Sequence, residues 1–187
     1  MAAVLLTGAA GVEAAALVLD DKDIGQALAV GQRSTTTEAA FDADWRVTNA
    51  VGEVAVVVTP FYRLALAARH AAFKSEPLTT AERDKVLREQ KDRLPMWVRL
   101  KGDREDFARH YAPRFILSGP GGSEREIVPS FVQNERTALR EEGGFIARCV
   151  YGFPTKDLTG TSRGTLVVRD AGGREVSRFG IDLARMR

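Results

Sequence analysis

An aspartate four residues ahead of a histidine, Asp106 and His110 with Arg109 between them, is the pairing in this sequence best suited to acid–base chemistry. A carboxylate one helical turn before an imidazole orients the ring and fixes its tautomer. No nucleophile completes the set. Hydrolases of the Ser-His-Asp kind hold their serine on a strained turn, and no G-x-S-x-G elbow occurs. Asp106 and His110 therefore stand as the candidate catalytic residues, against the plainer role of a surface ion pair near a helix end.

A second constellation has the chemistry of binding. Trp97, Arg99 and Lys101 alternate with Met96, Val98 and Leu100, so an aromatic ring and two cations share the face of a strand opposite its apolar residues. A ring beside cations on an open sheet face stacks bases and holds phosphates. These three are the candidate binding residues. The wider charge pattern disfavours nucleic acid as the partner: residues 1–60 carry 3 basic and 8 acidic groups and residues 61–187 carry 24 and 17, interleaved as in Arg83-Asp84-Lys85 and Arg104-Glu105-Asp106. Such mixing makes a solvated, salt-bridged surface instead of a polyanion stripe.

No cofactor and no metal is expected. One cysteine, Cys149, allows neither an internal disulfide nor a cysteine-based metal site, two histidines are too few for a histidine-rich one, and no calcium-loop motif occurs. His70 lies on a helical segment whose next turn offers Phe73 and Lys74 in place of a second ligand. Cys149 falls in phase with Phe145, Ala147, Tyr151 and Phe153, the apolar face of a strand, and reads as a buried structural thiol. The Gly119-Pro120-Gly121-Gly122 run leads into Glu124-Arg125-Glu126-Ile127, a strand and not a helix, so it is a hairpin turn and not a phosphate loop.

The elements that must position these residues are mostly strands. Asp20-Asp21-Lys22-Asp23 before Ile24, Ala27 and Leu28, with Gly31 as the stop, predicts a short capped helix, and residues 32–44 read as a surface connection. Residues 45–48 and 53–59 predict a hairpin closed by Asn49 to Gly52. At Thr59-Pro60 the apolar period changes from two to about 3.6. A helix over 60–74 follows, then a second one capped by Thr79 and Glu82 and poor in apolar residues, so about 60–93 is a two-helix insertion. Strands are predicted over 96–101, 114–118, 126–132, 145–153, 165–169 and 175–183, with a short hairpin at Asp170 to Gly173. About eight strands without a helix between successive ones predict an α+β chain that is mainly β: an antiparallel, immunoglobulin-like β-sandwich carrying the two-helix insertion.

The N-terminus bears on location. Residues 2–12 are apolar and Ala14-x-Ala16 supplies small residues, the pattern of a signal-like leader over 1–16 ahead of a single domain over 17–187, although no basic residue precedes the run. The run is too short to span a bilayer, which takes about 20 apolar residues, so no transmembrane segment is expected. The segment Thr59-Pro60-Phe61-Tyr62-Arg63-Leu64-Ala65-Leu66-Ala67-Ala68, with Asp23-Ile24-x-x-Ala27-Leu28-x-x-Gly31 upstream, resembles small, exported, uncharacterised bacterial proteins. The resemblance implies an envelope location and a β-sandwich with a helical element, and it implies no activity. The expected function is that of a non-enzymatic periplasmic or secreted domain binding a protein or an envelope component. Its alternatives are an enzyme with a site near Asp106 and His110, a polyanion binder, and a cytoplasmic location.

Overall fold

The computed structural model describes residues 14–187. Ten strands and four α-helices follow one another as α1 (Asp21–Arg33), α2 (Glu38–Phe41), β1 (Arg46–Thr48), β2 (Val54–Val57), α3 (Pro60–Phe73), α4 (Thr80–Gln90), β3 (Arg93–Gly102), β4 (Ala112–Ser118), β5 (Glu124–Ile127), β6 (Phe131–Gln133), β7 (Leu139–Glu141), β8 (Gly144–Pro154), β9 (Arg163–Arg169) and β10 (Glu175–Asp182). All pairings are antiparallel. One sheet runs β1-β2-β3-β8-β6, with β7 also on β8, and the other runs β10-β9-β4-β5.

Alternation along the strands builds the core between the sheets. Leu94, Met96, Val98 and Leu100 of β3 and Ala147, Cys149, Tyr151 and Phe153 of β8 are buried in phase, as are Phe115, Leu166, Val168, Phe179 and Ile181 of the second sheet. The rings of Phe115 and Phe153 meet across the gap with centroids 5.7 Å apart. The thiol of Cys149 lies in this layer, where burial pushes its pKa up.

Local chemistry explains the helices. Asp20 and Asp23 form a reciprocal capping box at α1, and Thr79 and Glu82 form another at α4. Thr59 accepts the Tyr62 amide while Pro60 opens α3. α1 crosses α3 at Gly31, where a side-chain methyl would collide with the Ala65 carbonyl oxygen. Only glycine permits that approach. α4, mostly exposed, is anchored through Gln90, which is buried and donates to the Val58 carbonyl.

Three features depart from the sequence reading. Residues 32–44, expected as a surface connection, hold α2 and the start of a 3₁₀ turn, with Phe41 and Asp42 buried, and Trp45, expected to open the first strand, closes that turn and is buried too. The single strand expected over 126–132 is two strands in different sheets, because the chain passes through Pro129 between β5 and β6 and changes sheet there. The three-residue strand β7, with all its residues exposed, carries no alternation to announce it.

The two sheets are also tied by a buried carboxylate. Glu53 accepts from the Lys101 amide at 2.9 Å, Asn49 Nδ2 at 2.8 Å and Ser177 Oγ at 2.5 Å, which joins β3, the β1–β2 turn and β10. Each donor left unpaired in a buried site costs about 1–3 kcal/mol, so Glu53→Ala is expected to destabilise the fold by about 3 kcal/mol. Glu53→Gln, which keeps an acceptor, should cost less. Urea unfolding measures both, and a Glu53→Ala variant as stable as the parent would contradict this role.

Candidate functional site

Two adjoining surfaces on the β1-β2-β3-β8-β6 sheet are shaped to receive something. The first is a groove on the face turned away from the sandwich core. Its floor is set by strand alternation: Val54 and Val56 on β2, Trp97 and Arg99 on β3, and Arg148 and Val150 on β8 project to that side. The capped first turn of α3 places Tyr62 over this floor, edge-on to Trp97 with ring centroids 6.0 Å apart. Trp45 and Phe41 back Tyr62 at 4.9 and 5.9 Å. One wall is the Asp42–Arg46 pair, bidentate at 2.9 and 2.7 Å. The groove, open to solvent along its length, has a volume of about 690 Å³.

The groove is electrostatically uneven. Arg99 and Arg148 are direct cross-strand partners, a juxtaposition of like charges that disfavours the sheet. Arg99 reaches Glu141 at 3.4 Å, with both side chains about half exposed, whereas Arg148 has no carboxylate partner among the described residues. Burial, followed by the nearby carboxylates of Asp42 and Glu38, pushes the Tyr62 phenol up to about 12.

The second surface is the β6 edge. β6 pairs with β8 alone among the described strands, so its other side has no partner strand. Phe131, opposite Gly152, borders a depression of about 490 Å³ that also touches Trp97, Pro95 and Val86. Val132, opposite Tyr151, borders a second one of about 490 Å³ containing Arg109, His110 and Arg136. Consecutive residues of this edge thus meet a space of mixed lining, with Trp97, Pro95 and Val86 beside Arg63, Glu89 and Arg93, and a basic space.

The residues singled out from sequence fall unevenly on these surfaces. Trp97 and Arg99 lie in the groove, but Trp97 is half-buried beneath Tyr62, and Lys101 points away from it to donate to the Val51 carbonyl at 3.0 Å. Asp106 and His110 lie in a run of turns instead of a helix, so four-residue spacing does not stack them. Asp106 pairs with Arg104 at 3.7 Å, and His110 is exposed beside basic neighbours. His70 is exposed on α3. Among the described residues no group of three or more His, Cys, Asp or Glu side chains is arranged to hold a metal, and no helix is long and apolar enough to cross a membrane.

Tyr62, Arg148, Phe131 and Val132 were not singled out. Arg148 had a legible signal, since it falls out of phase with the apolar run from Phe145 to Phe153. No protein-family model, curated protein or solved structure matches the chain.

Proposed function

We propose that this is a non-catalytic binding domain that captures an extended segment of a partner protein by strand addition along β6. One observation carries the reading: exposed large apolar residues lie on and just before this edge strand, with Val128 58%, Phe131 43% and Val132 43% exposed. A strand edge with no partner on its open side and with apolar side chains along it is a template for another strand. The flanking Arg109 and Arg136 have no acidic partner among the described residues, so the captured segment alternates apolar with acidic side chains. The orders β2-β3-β8-β6 and β10-β9-β4-β5 correspond to the A-B-E-D and G-F-C-C′ orders of immunoglobulin-like sandwiches, which supports that class of fold. In that correspondence β6 is the D strand at a sheet edge.

An acetylated peptide of alternating valine and glutamate is the probe. Saturable binding to the full chain is expected, with at least tenfold loss in Val132→Lys, because edge lysines block strand addition. No binding, or equal binding by the variant, overturns the proposal.

The leader-like residues are the support for a periplasmic or secreted location. The part of that leader over 1–13 lies outside the described residues; Ala15 is buried, and its amide donates to the Leu183 carbonyl at 3.0 Å. Mass spectrometry of the cellular protein tests the location: an N-terminus near Leu17 in an exported fraction supports it, and an intact Met1 in the cytoplasm overturns it.

A further inference from the structure

Two features of the Trp97 groove present polar groups to it. The first is the pair of guanidinium groups placed opposite each other in register on β3 and β8. Like charges directly opposed across strands cost stability, and neighbouring residues of the chain do not cancel the cost at Arg148: Glu141 serves Arg99, and Glu135 spends its carboxylate on the Arg148 backbone amide at 2.7 Å. The second is Tyr62. It is 1% exposed, its hydroxyl makes no hydrogen bond within the described residues, and that oxygen is not among the fully enclosed polar atoms, so the phenol opens onto the groove that its ring borders. A buried phenol normally finds an acceptor. Asp42, whose two oxygens accept from Arg46, makes no hydrogen bond with the Tyr62 hydroxyl.

Valines line the space between these features, with Glu38 and the Asp42–Arg46 pair also in its lining. Val54, Val56, Val150 and the part of Trp97 that Tyr62 leaves uncovered form the floor against which a flat ring can pack. We infer that this groove is a binding site for a small organic anion: a carboxylate on Arg99 and Arg148, a flat apolar body on Trp97, and a polar acceptor that takes the Tyr62 hydroxyl proton. Guanidinium groups suit a carboxylate because their planar donors match its two oxygens. This site lies on the open face of the sheet and stands independently of strand capture at β6.

The chain has two tryptophans, so a ¹⁵N-labelled sample gives two indole N–H signals. Trp45 donates its indole proton to the Arg187 carbonyl at 2.6 Å, away from the groove floor, and serves as the internal control. The probe is 6-hydroxy-2-naphthoate, whose hydroxyl can accept from Tyr62, compared with the uncharged 6-hydroxymethyl-2-naphthol. Titration of the carboxylate is expected to move the Trp97 signal saturably and leave that of Trp45 in place. The alcohol is expected to bind at least tenfold more weakly.

Arg148→Gln, an exposed substitution that leaves the core untouched, should weaken the carboxylate at least tenfold and the alcohol less than twofold. Val132→Lys at the β6 edge should change neither. Failure of the carboxylate to move Trp97, equal affinity for carboxylate and alcohol, or unchanged affinity in Arg148→Gln each overturns the assignment. Loss of carboxylate binding in Val132→Lys would also overturn it, by placing the probe at the edge instead of in the groove.

Discussion

Truncation of Phe115 to alanine is expected to remove about 3–5 kcal/mol of stability, the range for deleting a buried aromatic ring from a core that cannot collapse around the space. Phe115 is fully buried on β4 between Ile127 of β5 and Leu166 of β9, and it meets Phe153 of the opposite sheet. Its room is made by Gly164, where a side-chain methyl would lie 2.8 Å from the ring tip. Backbone on that side cannot move inward to fill the hole. Domains of this kind hold a net stability of about 5–15 kcal/mol, so one ring accounts for a large share of it. Equilibrium unfolding in urea should show a lower midpoint with an unchanged slope. A loss below about 1 kcal/mol would mean that the two sheets do not share this core.

Phe115 also illustrates what the sequence makes legible. Its strand is bounded by turn residues, and alternation assigns its inward face, as it does for Met96 to Leu100 and Phe145 to Phe153. The helices are legible for a different reason: the caps at Asp20, Thr59 and Thr79 are local chemistry and need no tertiary information. Non-local features are harder. Pro129 marks a break, but whether the chain then continues in one sheet or enters the other depends on partners that pair elsewhere in the sequence. The buried segment of α2 and Trp45 hides among Ser, Thr and Ala because it packs on α3, about twenty residues away in the chain.

The binding surfaces are half legible for the same reason. Alternation alone puts Trp97 and Arg99 on the outer face of β3. It cannot reveal that α3 folds back to cover Trp97 with Tyr62, or that Arg148 arrives directly opposite Arg99. Both require the register between β3 and β8 and the path of the helical insertion. The spacing of Asp106 and His110 misleads by the converse route: four-residue spacing has chemical meaning only in a helix, and Gly102 and Pro113 bracket a segment that turns instead.

Alkaline pH should expose the tyrosines of the folded chain in a single cooperative step. Tyr62, Tyr111 and Tyr151 are its three tyrosines, and burial is the main cause that pushes each phenol above the ordinary value near 10. For Tyr62, raised to about 12, the carboxylates of Asp42 and Glu38 add to the effect, and the guanidiniums of Arg46 and Arg69 offset part of it. The unfolded chain releases these protons near pH 10 while the folded chain keeps them. Stability from the neutral phenols is therefore complete below about pH 10 and is lost as pH rises toward 12. Tyr62 contributes at most about 1.4 kcal/mol per pH unit to that loss, because water at the groove screens part of the effect. Phenolate absorbance at 295 nm should consequently rise together with the loss of circular dichroism, and Tyr62→Phe should shallow the fall of stability with pH by one proton. A smooth titration centred near pH 10 in a chain that is still folded would sink the prediction. It would also mean that the Tyr62 ring is solvated in the folded chain instead of packed between Trp45 and Trp97.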